Sequence, residues 1–201
     1  MRTLGFLLLL PVLLFAGRAE AQGGPEARIE TSLGTITVAL DRDRAPATVA
    51  NFIRYAKGGH YDGTVFYRVV PDFVIQAGSI KADGSAKETY LRPIPLESAN
   101  GLSNLRGTIA MARGDNPASA TAEFFINLKD NRTGLDPKLG AKPNTTGYTV
   151  FGKVTQGMDV VFKIAAVPLE GGSGPFPDAA PETPVVIKTV TVSETSAAPA
   201  N

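Results

Sequence analysis

The 201 residues, 43% hydrophobic and 19% charged, are enough for one globular domain with a sizeable core, and too apolar for a disordered or collagenous chain. Lys and Arg number 20 against 19 Asp and Glu, a balance that argues against a protein held on nucleic acid by phosphate neutralisation. With no cysteine and one histidine, the chain has no disulfide, no thiol nucleophile and no multi-histidine metal centre, so neither metal nor cofactor is expected.

Met1 and Arg2 make a short cationic start, Leu4 to Ala16 is almost unbroken apolar sequence, and Ala19-Glu20-Ala21 has the small residues that a signal peptidase reads. Residues 1–21 therefore read as a signal peptide. The apolar run is shorter than the roughly 20 residues a membrane span needs, and Pro11 interrupts it, so no span is expected after cleavage. Removing Arg2, Arg18 and Glu20 leaves the mature chain neutral. Residues 22–26 read as a Gly/Pro linker, 27–193 as the folded domain and 194–201 as a disordered tail.

Arg28 to Thr31 and Thr35 to Leu40 alternate polar and apolar residues around Ser32-Leu33-Gly34, the signal of a β-hairpin. A helix follows, with Pro46 in its first turn, Val49, Phe52, Ile53 and Ala56 at helical spacing, and Gly58-Gly59 at its end. His60 sits in the next turn, where a lone histidine reads as surface decoration rather than a catalytic base.

Val65 to Val70 and Phe73 to Ala77 read as two strands joined at Pro71-Asp72. Alternation puts Phe66, Arg68 and Val70 on one face of the first, and sets Phe73, Ile75 and Ala77 against Val74 and Gln76 in the second. Arg68 thus stands among apolar neighbours. A guanidinium there either pairs with acceptors at the core edge or lies at the rim of an apolar pocket beside Gln76 and Phe73, and the residues alone leave both readings open.

Further on, Gly78 to Thr89 reads as a loop or flap, and Arg92 to Glu97, with two prolines, as a short edge strand. Gly107 to Ala112 and Glu123 to Leu128 are strands, the second placing Phe124 and Phe125 on opposite faces, one in the core and the other lining a cavity. Asp130 to Thr146 is a long loop, Tyr148 to Val154 a strand, and a second helix starts near Gln156 with Met158, Val161, Phe162 and Ala165 on one side. After a loop from Leu169 to Pro184, Val185 to Val192 is the last strand. The fold class predicted is mostly β, a closed eight-stranded antiparallel barrel capped by two α-helices.

Phe66-Tyr67-Arg68-Val69-Val70-Pro71-Asp72-Phe73-Val74-Ile75-Gln76-Ala77-Gly78, Gly107-Thr108-Ile109-Ala110-Met111-Ala112, Glu123-Phe124-Phe125-Ile126-Asn127 and Phe151-Gly152-Lys153-Val154 together resemble the cyclophilin-type peptidyl-prolyl cis-trans isomerases. The blocks occur in order across Ala27 to Ser193 and are most similar to bacterial periplasmic members. The resemblance implies a periplasmic, monomeric isomerase acting on proline-containing peptides and on unfolded exported proteins. It implies that Arg68 donates to the twisted prolyl amide, that Gln76 holds the substrate backbone and orients the arginine, and that Phe73 completes the catalytic set. By the same resemblance Val74, Phe125, Leu135 and Tyr148 form an apolar wall around the proline, and Met111-Ala112-Arg113 is the strand along which the peptide lies. Glu123 joins the substrate-binding set where the family has Gln, and would pair with Arg68 or Arg113. Val74 stands in place of a methionine, Arg113 where Asn is common, Tyr148 in place of the histidine of eukaryotic members and Gly134 about where they carry tryptophan. A non-catalytic proline-peptide-binding or chaperone module on the same barrel is the alternative, disfavoured because a binder could dispense with the arginine.

Overall fold

The structure, a computed structural model, describes residues 24–138, 146–169 and 174–194. The expected signal peptide lies outside the described residues, as does all but Glu194 of the expected tail. Among the described residues no helix is long and apolar enough to cross a membrane.

Eight strands form one antiparallel sheet: β1 (Glu26–Thr31), β2 (Gly34–Leu40), β3 (Arg68–Val70), β4 (Val74–Ala77), β5 (Thr108–Met111), β6 (Phe124–Asn127), β7 (Val150–Gln156) and β8 (Ile187–Ser193), in the order β3-β4-β6-β5-β7-β2-β1-β8. β1 starts at Glu26, so the sheet takes in the last residue of the expected linker. The helices are α1 (Pro46–Lys57), α2 (Arg132–Leu135) and α3 (Met158–Ala165), with a 3-10 turn at Pro177–Ala179.

The barrel is open rather than closed. β3 and β8 are the two ends of the sheet and share no ladder. The chain before β3 meets the start of β8 and its flank through the bridge Val65↔Val186 and hydrogen bonds from Phe66 N–H to Val185 C=O (3.0 Å), from Ile187 N–H to Thr64 C=O (2.8 Å) and from Gly63 N–H to Ile187 C=O (2.9 Å). The seam stays short because β3 begins only at Arg68, after Phe66 and Tyr67 have left the ladder. Arg92 to Glu97 likewise makes no strand, since Pro93 and Pro95 lack N–H donors, and a single bridge Ile94↔Ala120 remains.

The core fills the space between the inner face of this curved sheet and α1 and α3. Phe52 of α1 is its centre, its ring 5.1 Å from Tyr61, 5.7 Å from Phe124 and 5.4 Å from Phe151. Burying a ring of that size is worth roughly 1.5–3 kcal/mol, which ties α1 to β6 and β7. No side chain of Ala45 caps α1. Glu97 does so from a distant loop, accepting from the Ala47 N–H (3.0 Å) and from the Thr48 N–H (2.9 Å) and hydroxyl (2.7 Å). α3 starts at Met158 and buries Val160, Val161 and Ile164, whereas Phe162 of the expected face turns outward under Arg106.

His60 is not on the surface. It is 2% exposed and packs against Tyr55, Tyr61 and Tyr90, with ring centroids 4.6, 5.7 and 5.8 Å away. Its Nε2 meets no hydrogen-bond partner among the described residues, and desolvation, then the Lys87 charge, holds its pKa below the ordinary value.

Candidate active site

Strand register assembles the site. On the face of the sheet away from the core, Arg68 lies opposite Gln76, Gln76 opposite Phe125, Phe125 opposite Ala110 and Ala110 opposite Val150. One line of side chains thus runs from the β3 edge into a second apolar cluster of Val74, Ala110, Phe125 and Val150, with Phe73, Leu102, Ala112, Leu135 and Tyr148 packed on it. A cavity of about 260 Å³ opens there, lined by Arg68, Phe73, Val74, Gln76, Ala112, Arg113, Phe125, Leu135, Tyr148 and Phe176. That is room for a small apolar ring with a few polar contacts at its rim.

The β3–β4 turn shapes one wall. Pro71 presets its own φ, Asp72 takes a positive φ of 56°, and the Phe73 N–H closes the turn on the Val70 carbonyl (3.0 Å). Phe73 therefore does not share a face with Ile75 and Ala77, which enter the core. It swings to the cavity beside Val74 and Gln76, its carbonyl held by the Leu128 N–H and by Asn131 Nδ2, both at 2.9 Å. Phe66 likewise goes into the core and leaves the face of Arg68. Phe124 enters the core and Phe125 lines the cavity, as alternation requires.

The opposite wall is Tyr148, edge-on to Phe125 at 5.6 Å, with the Arg113 guanidinium 4.8 Å from its ring centroid. Arg113 also donates to the Gly147 carbonyl and to Thr146 Oγ1, both at 3.0 Å, so it serves as a brace for this loop. Gly147 has φ +63°, and a Cβ there would lie 2.5 Å from Pro137 N, which only glycine avoids. Leu135 reaches the cavity from α2, a helix inside the stretch expected to be loop. Asn104 anchors it, donating from its N–H and Nδ2 to Asp136 (both 2.8 Å) and from Nδ2 to the Leu135 carbonyl (3.2 Å).

Two expected substrate contacts lie elsewhere. The Met111 side chain is 2% exposed and belongs to the core, because its neighbours Ala110 and Ala112 take the cavity side. Glu123 is not in the lining and pairs with neither Arg68 nor Arg113. Its carboxylate accepts from the Tyr67 hydroxyl (2.5 Å), from Gln76 Nε2 (2.9 Å) and from the Ser79 hydroxyl. Gly78 permits this approach: its φ is +136°, and a Cβ would meet the Ala122 carbonyl and Glu123 Cα at 2.7 Å. Gln76 then accepts from Arg68 Nη1 at 3.2 Å. Among the described residues Arg68 makes no ion pair, and its side chain lines the cavity.

Sequence reasoning passed over Tyr67 and Phe176. Tyr67 differs in parity from Arg68 and is hidden by the assumption that the strand begins at Val65. Burial, then the Glu123 charge, pushes its phenol pKa far above the ordinary value, so it stays a donor. Phe176 lies in a loop without periodicity, and its only signal is an aromatic ring between Pro175 and Pro177.

The cyclophilin type peptidyl-prolyl cis-trans isomerase/CLD family model matches residues 27–192. The chain belongs to the cyclophilin-type peptidyl-prolyl cis-trans isomerases. As a cyclophilin it is an enzyme that interconverts cis and trans prolyl bonds. It is 47% identical to a peptidyl-prolyl cis-trans isomerase of Acinetobacter baylyi over 75% of this chain and 77% of that one. It is 45% identical to peptidyl-prolyl cis-trans isomerase B of Escherichia coli over 82% of this chain and 97% of the other. A cyclophilin of Cryptosporidium parvum, crystallised in the presence of the dipeptide Ala-Pro, superposes with a TM-score of 0.69 over 84% of this chain and 99% of that one. At 23% identity it speaks for the fold alone.

Proposed function

We propose that this cyclophilin catalyses isomerisation through Arg68, oriented by Gln76, on a proline seated against Phe73, Val74, Phe125, Leu135 and Tyr148, and that its substrates are unfolded exported proteins in the periplasm. The observation that carries the reading is a guanidinium without a carboxylate partner among the described residues, held by Gln76 at the rim of an apolar cavity.

Rotation about a prolyl bond faces a barrier of about 18–20 kcal/mol, because the amide nitrogen shares its lone pair with the carbonyl. As the bond twists, the lone pair returns to the nitrogen, which becomes pyramidal and can accept a hydrogen bond. A donor placed there stabilises the twisted state and not the planar ones, which is what lowers the barrier. The apolar wall holds the ring and keeps water from competing for the donor. Ala112 and Arg113 at the cavity edge flank the peptide backbone, and Met111, in the core, takes no part.

Residues 1–21 support export, and a folding role follows from the uncatalysed reaction taking tens to hundreds of seconds. A monomer suffices for this mechanism, since Arg68, Gln76 and the apolar wall belong to the same chain. A protease-coupled isomerisation assay of wild type and Arg68→Ala tests the mechanism. Recovery of the mature protein from a periplasmic fraction with Gln22 at its amino terminus tests the compartment, and retention of Met1 in the cytoplasm would refute it.

A further inference from the structure

Phe176 is 46% exposed, one of five large hydrophobic side chains left open to solvent among the described residues, and of these it alone lines the cavity. Its ring stacks on Tyr67 with centroids 6.2 Å apart and planes 20° apart, and the Arg68 guanidinium carbon lies 5.3 Å from its centroid. The backbone is set by Pro175 and Pro177 on either side and by the 3-10 turn, in which the Ala179 N–H donates to the Phe176 carbonyl at 3.0 Å. A large apolar ring held in place on an open rim has the character of a binding surface awaiting cover.

Its position relative to the proline wall follows from the sheet. Phe125 on β6 and Arg68 on β3 are two strands apart, about 10 Å at about 4.8 Å per strand, and β3 is the edge. Phe176 packs on Tyr67 and Arg68, on the β3 side of the cavity, whereas Phe125 and Tyr148 pack on each other at the other side. With the prolyl ring on that wall and its amide at Arg68, the next substrate residue falls on the Phe176 side, since one residue of extended chain advances about 3.4 Å.

We propose that Phe176 forms a second apolar subsite, receiving an aliphatic or aromatic side chain one residue from the substrate proline. This placement rests on the reading of Arg68 and the proline wall given above. The shared chemistry is an apolar side chain, and it can come from the residue before the proline or from the residue after it.

The test measures cis–trans exchange by NMR, without a coupling protease, on peptides Ala-X-Pro-Y-Ala in which X or Y alone is changed from Ala to Leu. Wild type is expected to favour Leu at one of the two positions by about 5- to 20-fold in kcat/KM, mostly through KM, and the responding position identifies the source. In Phe176→Ala that ratio collapses toward unity, and in Phe176→Leu, which keeps an apolar contact, part of it returns. A wild type indifferent at both positions, or a preference that survives in Phe176→Ala, would overturn the proposal. Arg68→Ala separates the two readings: it should slow every peptide alike, and if it did not, the role of Arg68 would fall while the Leu/Ala ratio still judged Phe176.

Discussion

The Gln76 amide has one orientation because Glu123 can only accept. Nε2 donates to Glu123 at 2.9 Å and to the Tyr67 hydroxyl at 2.5 Å, whose own proton goes to Glu123, and Oε1 is left to accept from Arg68 at 3.2 Å. Turning the amide over would set oxygen against carboxylate and NH2 against guanidinium, unfavourable at both ends.

Removing Glu123 should therefore act at a distance. Glu123→Ala leaves the Tyr67, Gln76 and Ser79 donors without their acceptor, with an expected stability loss of about 1–3 kcal/mol. It should lower kcat/KM about 10-fold by freeing Gln76 and so Arg68, less than loss of the donor itself. Glu123→Gln should be milder, since the Ser79 hydroxyl can turn to accept from the new amide. Urea unfolding and isomerisation kinetics of both variants decide this, and wild-type kinetics for Glu123→Ala would show that Gln76 needs no such anchor.

For Arg68→Ala the expectation is a fall in kcat/KM of roughly 10²-fold or more with the fold intact, the scale of losing one preorganised donor. Arg68→Lys should recover little, because the planar fork that meets Gln76 and the substrate together is lost. Near wild-type turnover in either variant would refute the mechanism.

At Gly78 the backbone itself is at stake. Gly78→Ala combines a φ of +136° with a Cβ 2.7 Å from backbone atoms of Ala122 and Glu123, and neither strand can move without disturbing β4 or β6. Destabilisation of about 3 kcal/mol or more is expected, read as a drop in urea midpoint together with weakened activity. An alanine variant as stable as wild type would contradict this close approach.

His60 makes stability depend on pH. Its pKa is lowered in the fold, so below the ordinary value of 6.5 the unfolded chain binds a proton that the folded chain does not. The contribution is fully present above that pH and is lost as pH falls through the window down to the lowered folded value, with a slope of at most about 1.4 kcal/mol per pH unit. His60→Phe, which keeps a ring among the three tyrosines, should flatten this part of the curve. Unfolding measured at pH 7.5 and 5.0 should show a smaller difference for the variant than for wild type, and equal differences would mean that His60 does not titrate in this way.

The sequence alone determined what depends on local pattern. The β1–β2 hairpin, α1 with its Pro46 start, the turn at Pro71-Asp72 and the opposed Phe124 and Phe125 were legible because period 2, period 3.6 and turn chemistry are local properties. The family blocks carried Arg68, Gln76 and most of the apolar residues that line the cavity with them. Tertiary structure decided the rest. Phe73 went to the cavity because the positive φ of Asp72 turns the chain before β4, and Met111 went to the core because Ala110 and Ala112 take the cavity side of β5. His60 was buried because Tyr90, 30 residues on, closes over it beside its near neighbours Tyr55 and Tyr61. Glu123 turned from both arginines because Tyr67, Gln76 and Ser79 offer three donors at one point, and Phe176 joined the site from a loop more than 100 residues after Arg68. Contacts of that kind arise only when the chain is folded, since the free energy of each lies in what meets it across space and not in its sequence neighbours.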